Sequence, residues 1–146
     1  MKKFTTVFVI ILAIVALFFY FADKNRMQTV QKSNLPVDIK AHHTQDAFCK
    51  MTIQDQKYAS EVISNDGIVW FFDDIGCMIK WLHDKRFDKA PSLWIYALDT
   101  KEWIDATKAW YSQNEKTPMG YGFGAYAKKG ANLISFEEVR KKVLTK

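Results

Sequence analysis

The chain has 146 residues, 49% of them hydrophobic and 25% charged, with two cysteines and a formal net charge of +5. Its basic residues are scattered, as in Lys128-Lys129 and Arg140-Lys141-Lys142, and acids interrupt them, a pattern that argues against a nucleic-acid-binding face. Residues 1–22 carry no charge but Lys2 and Lys3, so the remainder is only mildly basic, at +3.

The N-terminus comes first in the chain and sets the compartment. Lys2 and Lys3 precede an apolar run, Phe4 to Ala22, closed by Asp23, Lys24 and Arg26. As a helix rising about 1.5 Å per residue, such a run spans the ~30 Å hydrocarbon core. Tyr20, two positions before Ala22, does not suit the small-residue pattern of a cleaved signal. Residues 1–22 are therefore expected to form an uncleaved transmembrane anchor. The leading lysines keep the N-terminus cytoplasmic and place the rest outside, on the periplasmic face of an inner membrane. Residues 23–45 are polar, contain Pro36 and lack sustained periodicity, which reads as a linker. Residues 46–146 then suffice for one compact domain, or two very small units sharing a core.

Within that domain, Cys49–Ile53 and Tyr58–Ser64 read as two short strands, and Asn65-Asp66-Gly67 as a turn. In the following run, Phe71, Ile75, Met78 and Leu82 fall at helical spacing, with Asp73 and Asp74 suited to the first helical turn. Met78 lies on the core stripe of that helix, and Cys77 on another face with Trp70, Asp74 and Trp81. After Pro91, the sequence SLWIYAL reads as a strand. The second half offers Trp103–Ser112 and Gly120–Ala127 as extended segments. It ends in a helix opened by the capping box of Ser135 and Glu138. Phe72-Asp73-Asp74-Ile75 lines up with Phe136-Glu137-Glu138-Val139. The order of elements predicts an α+β fold of two related ββαβ units sharing a core, at about 46–98 and 99–146.

Three segments carry a family resemblance: Cys49-Lys50-Met51, the run FFDDIGCMIKWL from Phe71 to Leu82, and TPMGYGFGAYA from Thr117 to Ala127. Together they resemble the NosL family, copper-binding accessory proteins for the assembly of nitrous oxide reductase. The resemblance covers roughly Phe48 to Ala127, with Trp103-Ile104-Asp105-Ala106 also matching. It implies two ββαβ units and an extracytoplasmic, membrane-attached copper chaperone. Its partners would be nitrous oxide reductase or its membrane transporter assembly complex. Cys49, Met51 and Met119 are the positions that match the family's copper ligands. Lys50 stands where the family usually has glycine, and a helix-like anchor stands in place of the lipid-bearing cysteine of many members.

The residue chemistry agrees with copper. In a strand, Cys49 and Met51 project to one side and Lys50 to the other. A thiolate with a thioether is a soft donor set suited to Cu(I), whereas zinc prefers four ligands drawn from cysteine, histidine and carboxylate. If Met119 to Gly124 alternate as a strand, Met119 joins Tyr121 and Phe123 on one face. Exchangeable thioethers suit an ion that must be surrendered to an acceptor.

Other readings concern the same residues. Cys49 and Cys77 as a disulfide would staple a membrane-tethered interaction domain without metal. Cys77 has the buried small hydrophobe as its plain role. His42 and His43 lie just before the domain, where one of them could complete a copper site. A thiol-dependent lyase would need a base near Cys77. His83 is six residues on and so around the helix, and no catalytic motif is present, which points away from an enzyme.

Overall fold

The computed structural model describes residues 11–18, 29–30 and 34–145. Residues 11–18 are helical (α1) and are the one part of the expected anchor among them; the rest of residues 1–22 lies outside the described residues. No helix among the described residues is long and apolar enough to cross a membrane.

Two antiparallel sheets and two packed helices make an α+β domain. The larger sheet has five strands, β1 (Thr29–Val30), β2 (Ser60–Ile63), β3 (Ile68–Phe72), β4 (Ser92–Tyr96) and β5 (Trp103–Asp105), in the order β1-β3-β2-β4-β5. The smaller has three, β6 (Trp110–Ser112), β7 (Gly124–Tyr126) and β8 (Ile134–Ser135), in the order β7-β6-β8. Helix α2 (Ile75–His83) follows β3, and α3 (Phe136–Leu144) follows β8. A parallel bridge between Ala97 and Ala125 joins the two sheets, with Leu98 N–H donating to Ala125 O at 2.8 Å.

Alternation along the strands gives the large sheet two apolar faces. Val62, Phe72 and Ile95 turn toward α2, where one core also takes in Tyr111, Phe123, Val139 and Val143 from the second half. Ile63, Val69 and Phe71 turn the other way and are covered by Ile39 and Ile53, with Val37 packed beside them. Each fully buried side chain of this size contributes roughly 1.5–3 kcal/mol from leaving water. Helix α2 lies between sheet and α3, which explains why Ile75 to Ile79 and Trp81 are all buried.

The first-half strand at Ser60–Ile63, its turn, the helix and the closing strand were legible, but β3 was read into the helical run, Cys49–Ile53 is not a strand, and several boundaries differ. Phe71 belongs to β3, so the helical stripe read through it begins only at Ile75. Asp74 is the N-cap of α2, accepting from Gly76 N–H at 3.1 Å, rather than a first-turn residue. The stretch Trp103–Ser112 is two strands in different sheets. Asp105 breaks it by accepting from Thr107 N–H at 2.9 Å and holding the turn that leads to Ala109. Ser135 and Glu138 do form the capping box of α3. Because Ser135 takes the cap position that Asp74 holds in α2, the match of Asp73-Asp74 with Glu137-Glu138 is out of register. The stretch read as a linker also joins the domain, as strand β1 and again from Asn34 onward. Val37 N–H donates to Glu61 Oε2 at 3.0 Å, Trp94 Nε1–H to Asn34 O at 3.0 Å, and Ile39 is buried.

Candidate metal centre

Three loops meet at the N-terminal end of α2. The first is the segment read as a strand, Cys49–Ile53, whose Cys49 end is a turn instead. Asp46 forms it. Its Oδ1 accepts from the N–H groups of Phe48 at 2.6 Å and Cys49 at 2.8 Å, and its Oδ2 accepts from Asp73 N–H at 2.9 Å. Backbone bonds from Lys50 N–H to Asp46 O and from Asp46 N–H to Met51 O close the turn. Lys50 completes it with φ +68°, the left-handed region that glycine adopts without cost. Cys49 and Met51 therefore do not share one face of a strand: Cys49 is half-buried, while Met51 is 52% exposed.

The second, between β3 and α2, carries Asp73, and Cys77 follows it in the first turn of α2. The third, Thr117 to Phe123, is a turn rather than a strand, since Gly120 and Gly122 have φ +71° and +86°. The alternation expected from Met119 fails accordingly, with Met119 37% exposed and Phe123 buried. Met119 N–H donates to Asp74 Oδ2 at 3.3 Å, which holds this loop against the helix cap. The Tyr121 ring lies on Gly76, where any Cβ would overlap it, so the close approach of loop and helix depends on that glycine.

Asp46, Cys49, Asp73 and Cys77 each present a ligand atom, and the four atoms lie within 4.8 Å of one another. Asp46 and Cys77 are fully buried and Asp73 nearly so; Asp73 Oδ1 has no hydrogen-bond partner. Both cysteines are free thiols. Burial raises the Cys49 thiol, with Asp46 and Asp73 adding to it against the backbone bond at Met51. Burial also pushes Cys77 far up, reinforced by Asp46, Asp73 and Cys49. Burial first, then the hydrogen bond and charge of Asp46, push Asp73 up to about 7. Asp74 is raised by burial against the Thr117 hydroxyl and the N–H groups of Gly76, Tyr121 and Met119. The leading charge effects on Cys49, Asp73 and Cys77 all come from neighbouring acids, so the group favours either bound protons or a cation.

Of the expected ligands, Cys49 lies in this cluster. Met51 and Met119 flank it through backbone bonds to Asp46 and Asp74 respectively, with exposed side chains. His42 and His43 are exposed and outside the cluster, as is His83 at the end of α2. Sequence reasoning missed Asp46 and assigned Asp73 and Cys77 other roles. The available signal was an aspartate three residues before Cys49, paired with Asp73 four residues before Cys77.

An α+β domain that gathers two thiols and two carboxylates where three loops meet has the donor set of a metal-binding protein. The fold is similar to that of the copper chaperone NosL from Shewanella denitrificans. The TM-score is 0.57 over 77% of this chain and 88% of that one, with 14% identical residues. No family model and no curated protein matches the chain.

Proposed function

We propose that this protein is a membrane-anchored, extracytoplasmic Cu(I)-binding chaperone that delivers copper for the maturation of nitrous oxide reductase. The observation that carries the reading is the position of Cys49: a half-buried thiol at the tip of an aspartate-pinned turn, among other metal-binding groups. The fold likeness to a copper chaperone supports it. The site comprises Cys49 with the thioethers of Met51 and Met119, a soft set suited to Cu(I) and able to release it to a stronger acceptor. Residues 1–22 anchor the chain in the inner membrane with the domain on the periplasmic side. The two halves, about 46–98 and 99–146, share one core, and the protein has no enzymatic role. The second half ends in α3, with no strand after it among the described residues, so it does not complete the ββαβ unit expected of it. Its partners are nitrous oxide reductase or the membrane transporter complex that assembles it.

The test is an anaerobic Cu(I) titration of the full chain in detergent against a competing chelator, for the wild type and Cys49→Ser. One equivalent held by the wild type and lost from the variant is the expected result. Failure of the wild type to compete for Cu(I) would remove the reading.

A further inference from the structure

We propose that Cys77 is the second thiolate of the copper centre, so that the ion is held between two cysteines with the methionines as an outer rim. The inference rests on the copper reading above and gives a ligand role to Cys77, which the sequence offers as a core residue or as one half of a disulfide.

Its basis is geometric. The Cys49 and Cys77 sulfurs belong to a group whose ligand atoms all lie within 4.8 Å of one another. Two metal–sulfur bonds of about 2.3 Å laid end to end reach about 4.6 Å, so one ion fits between the sulfurs with little movement of either loop. Asp46 is an orienting group, since its two oxygens are taken by three backbone N–H donors, two that shape the Cys49 turn and a third that ties it to Asp73. Asp73 differs: it is 4% exposed, and its Oδ1 has no partner. A buried, unpaired carboxylate oxygen beside two thiols marks a place completed by something positively charged.

Exposure grades the sulfur donors by depth. Met51 is 52% exposed and Met119 37%, Cys49 is half-buried, and Cys77 is fully buried. An arriving ion meets the thioethers first, passes to Cys49 and settles when Cys77 joins. Departure reverses the order, with Cys49 common to both stages. Each thiol exchanges its proton for an S–Cu bond, the protons leave to solvent, and no electrons move. Two thiolates hold Cu(I) more firmly than one, while the rim lets an acceptor's ligands replace them one at a time.

The test compares wild type, Cys49→Ser, Cys77→Ser and the double variant Met51→Leu/Met119→Leu as full chains in detergent. Each is titrated with Cu(I) against a chelator, and its sulfur ligands are counted by copper X-ray absorption. Loss of an outer-shell contact costs roughly 10–100-fold in metal affinity. Cys77→Ser is expected to cost more than that and to lose one sulfur scatterer. A Cys77→Ser protein within tenfold of wild type, with an unchanged sulfur count, overturns the proposal and leaves the copper reading standing. Should the buried substitution prevent folding, the double variant decides, because both of its changes are at exposed side chains and both cysteines remain. Two sulfurs there support the proposal, and one sulfur or no retained copper overturns it. A wild type that binds no Cu(I) removes the copper reading itself, and this inference with it.

Discussion

At the residue scale, buried acids give the protein its chemical character. Glu61 is fully buried on the second face of the large sheet, and its Oε1 has no hydrogen-bond partner. Burial, aided slightly by Asp38 and opposed by the bond from Val37 N–H, raises its pKa from 4.5 to about 8. Between those values the folded chain keeps a proton that the unfolded chain gives up, so stability falls as pH rises through that window. Asp73 adds a loss of the same sign but only to about pH 7. The expected outcome is a melting temperature that drops between pH 7 and 8.5 in the wild type and hardly changes in Glu61→Gln. Parallel curves for the two proteins would show that Glu61 does not titrate in this range. None of this was legible in the sequence, because a glutamate in a short strand reads as a solvated residue until the other strands and the 34–39 segment enclose it. Asp46 is similar: its role depends on three N–H groups, one of which, at Asp73, is 27 residues away.

At the element scale, what the sequence made legible was the local chemistry. The capping box of Ser135 and Glu138, the turn at Asn65-Asp66-Gly67 and the apolar strand at Ser92–Tyr96 all depend on neighbours within a few positions. The Cys49 turn and the Met119–Phe123 stretch were misread as strand for one reason, while Gly124–Tyr126, directly after that stretch, is a strand. Each misread segment has residues at positive φ, Lys50 in one and Gly120 and Gly122 in the other, and an alternating pattern does not report them. Cys77 was placed on the right helix, but a helical wheel cannot say which loops that helix end meets. Tyr121 on Gly76 is the contact that fixes the third loop. Gly76→Ala would force the ring away, at a cost of about 1–3 kcal/mol typical of overpacking, despite alanine's better helix propensity. Urea unfolding is expected to show that loss, with weaker Cu(I) retention as the Met119 loop loosens. Equal or greater stability in the variant would mean that the loop is not held by this contact.

At the scale of the whole molecule, the α+β class was legible because α2, α3 and several strands have periodic patterns, and because both halves supply one core around α2 and α3. The boundary between linker and domain was not legible, because Thr29–Val30 and the chain from Asn34 onward reach the domain through pairings with distant residues. On the anchor reading, carbonate washing should leave the full chain in the membrane pellet, while a chain starting after residue 22 should be released. Release of both would show that residues 1–22 do not insert.

The strand at Thr29–Val30 gives that anchoring a spatial consequence. It pairs along the edge of β3, through Val69 and Ile68, so the chain is already seated on the domain by residue 29. If residues 1–22 form the anchor, only residues 23–28 then separate its end from the sheet. Fully extended, six residues span at most about 20 Å. On the proposed anchored-chaperone reading, a domain on so short a leash would not range through the periplasm in search of a recipient. It would work close to the bilayer surface, in a narrow set of orientations, and the proteins able to take copper from it would be those that present themselves at that height.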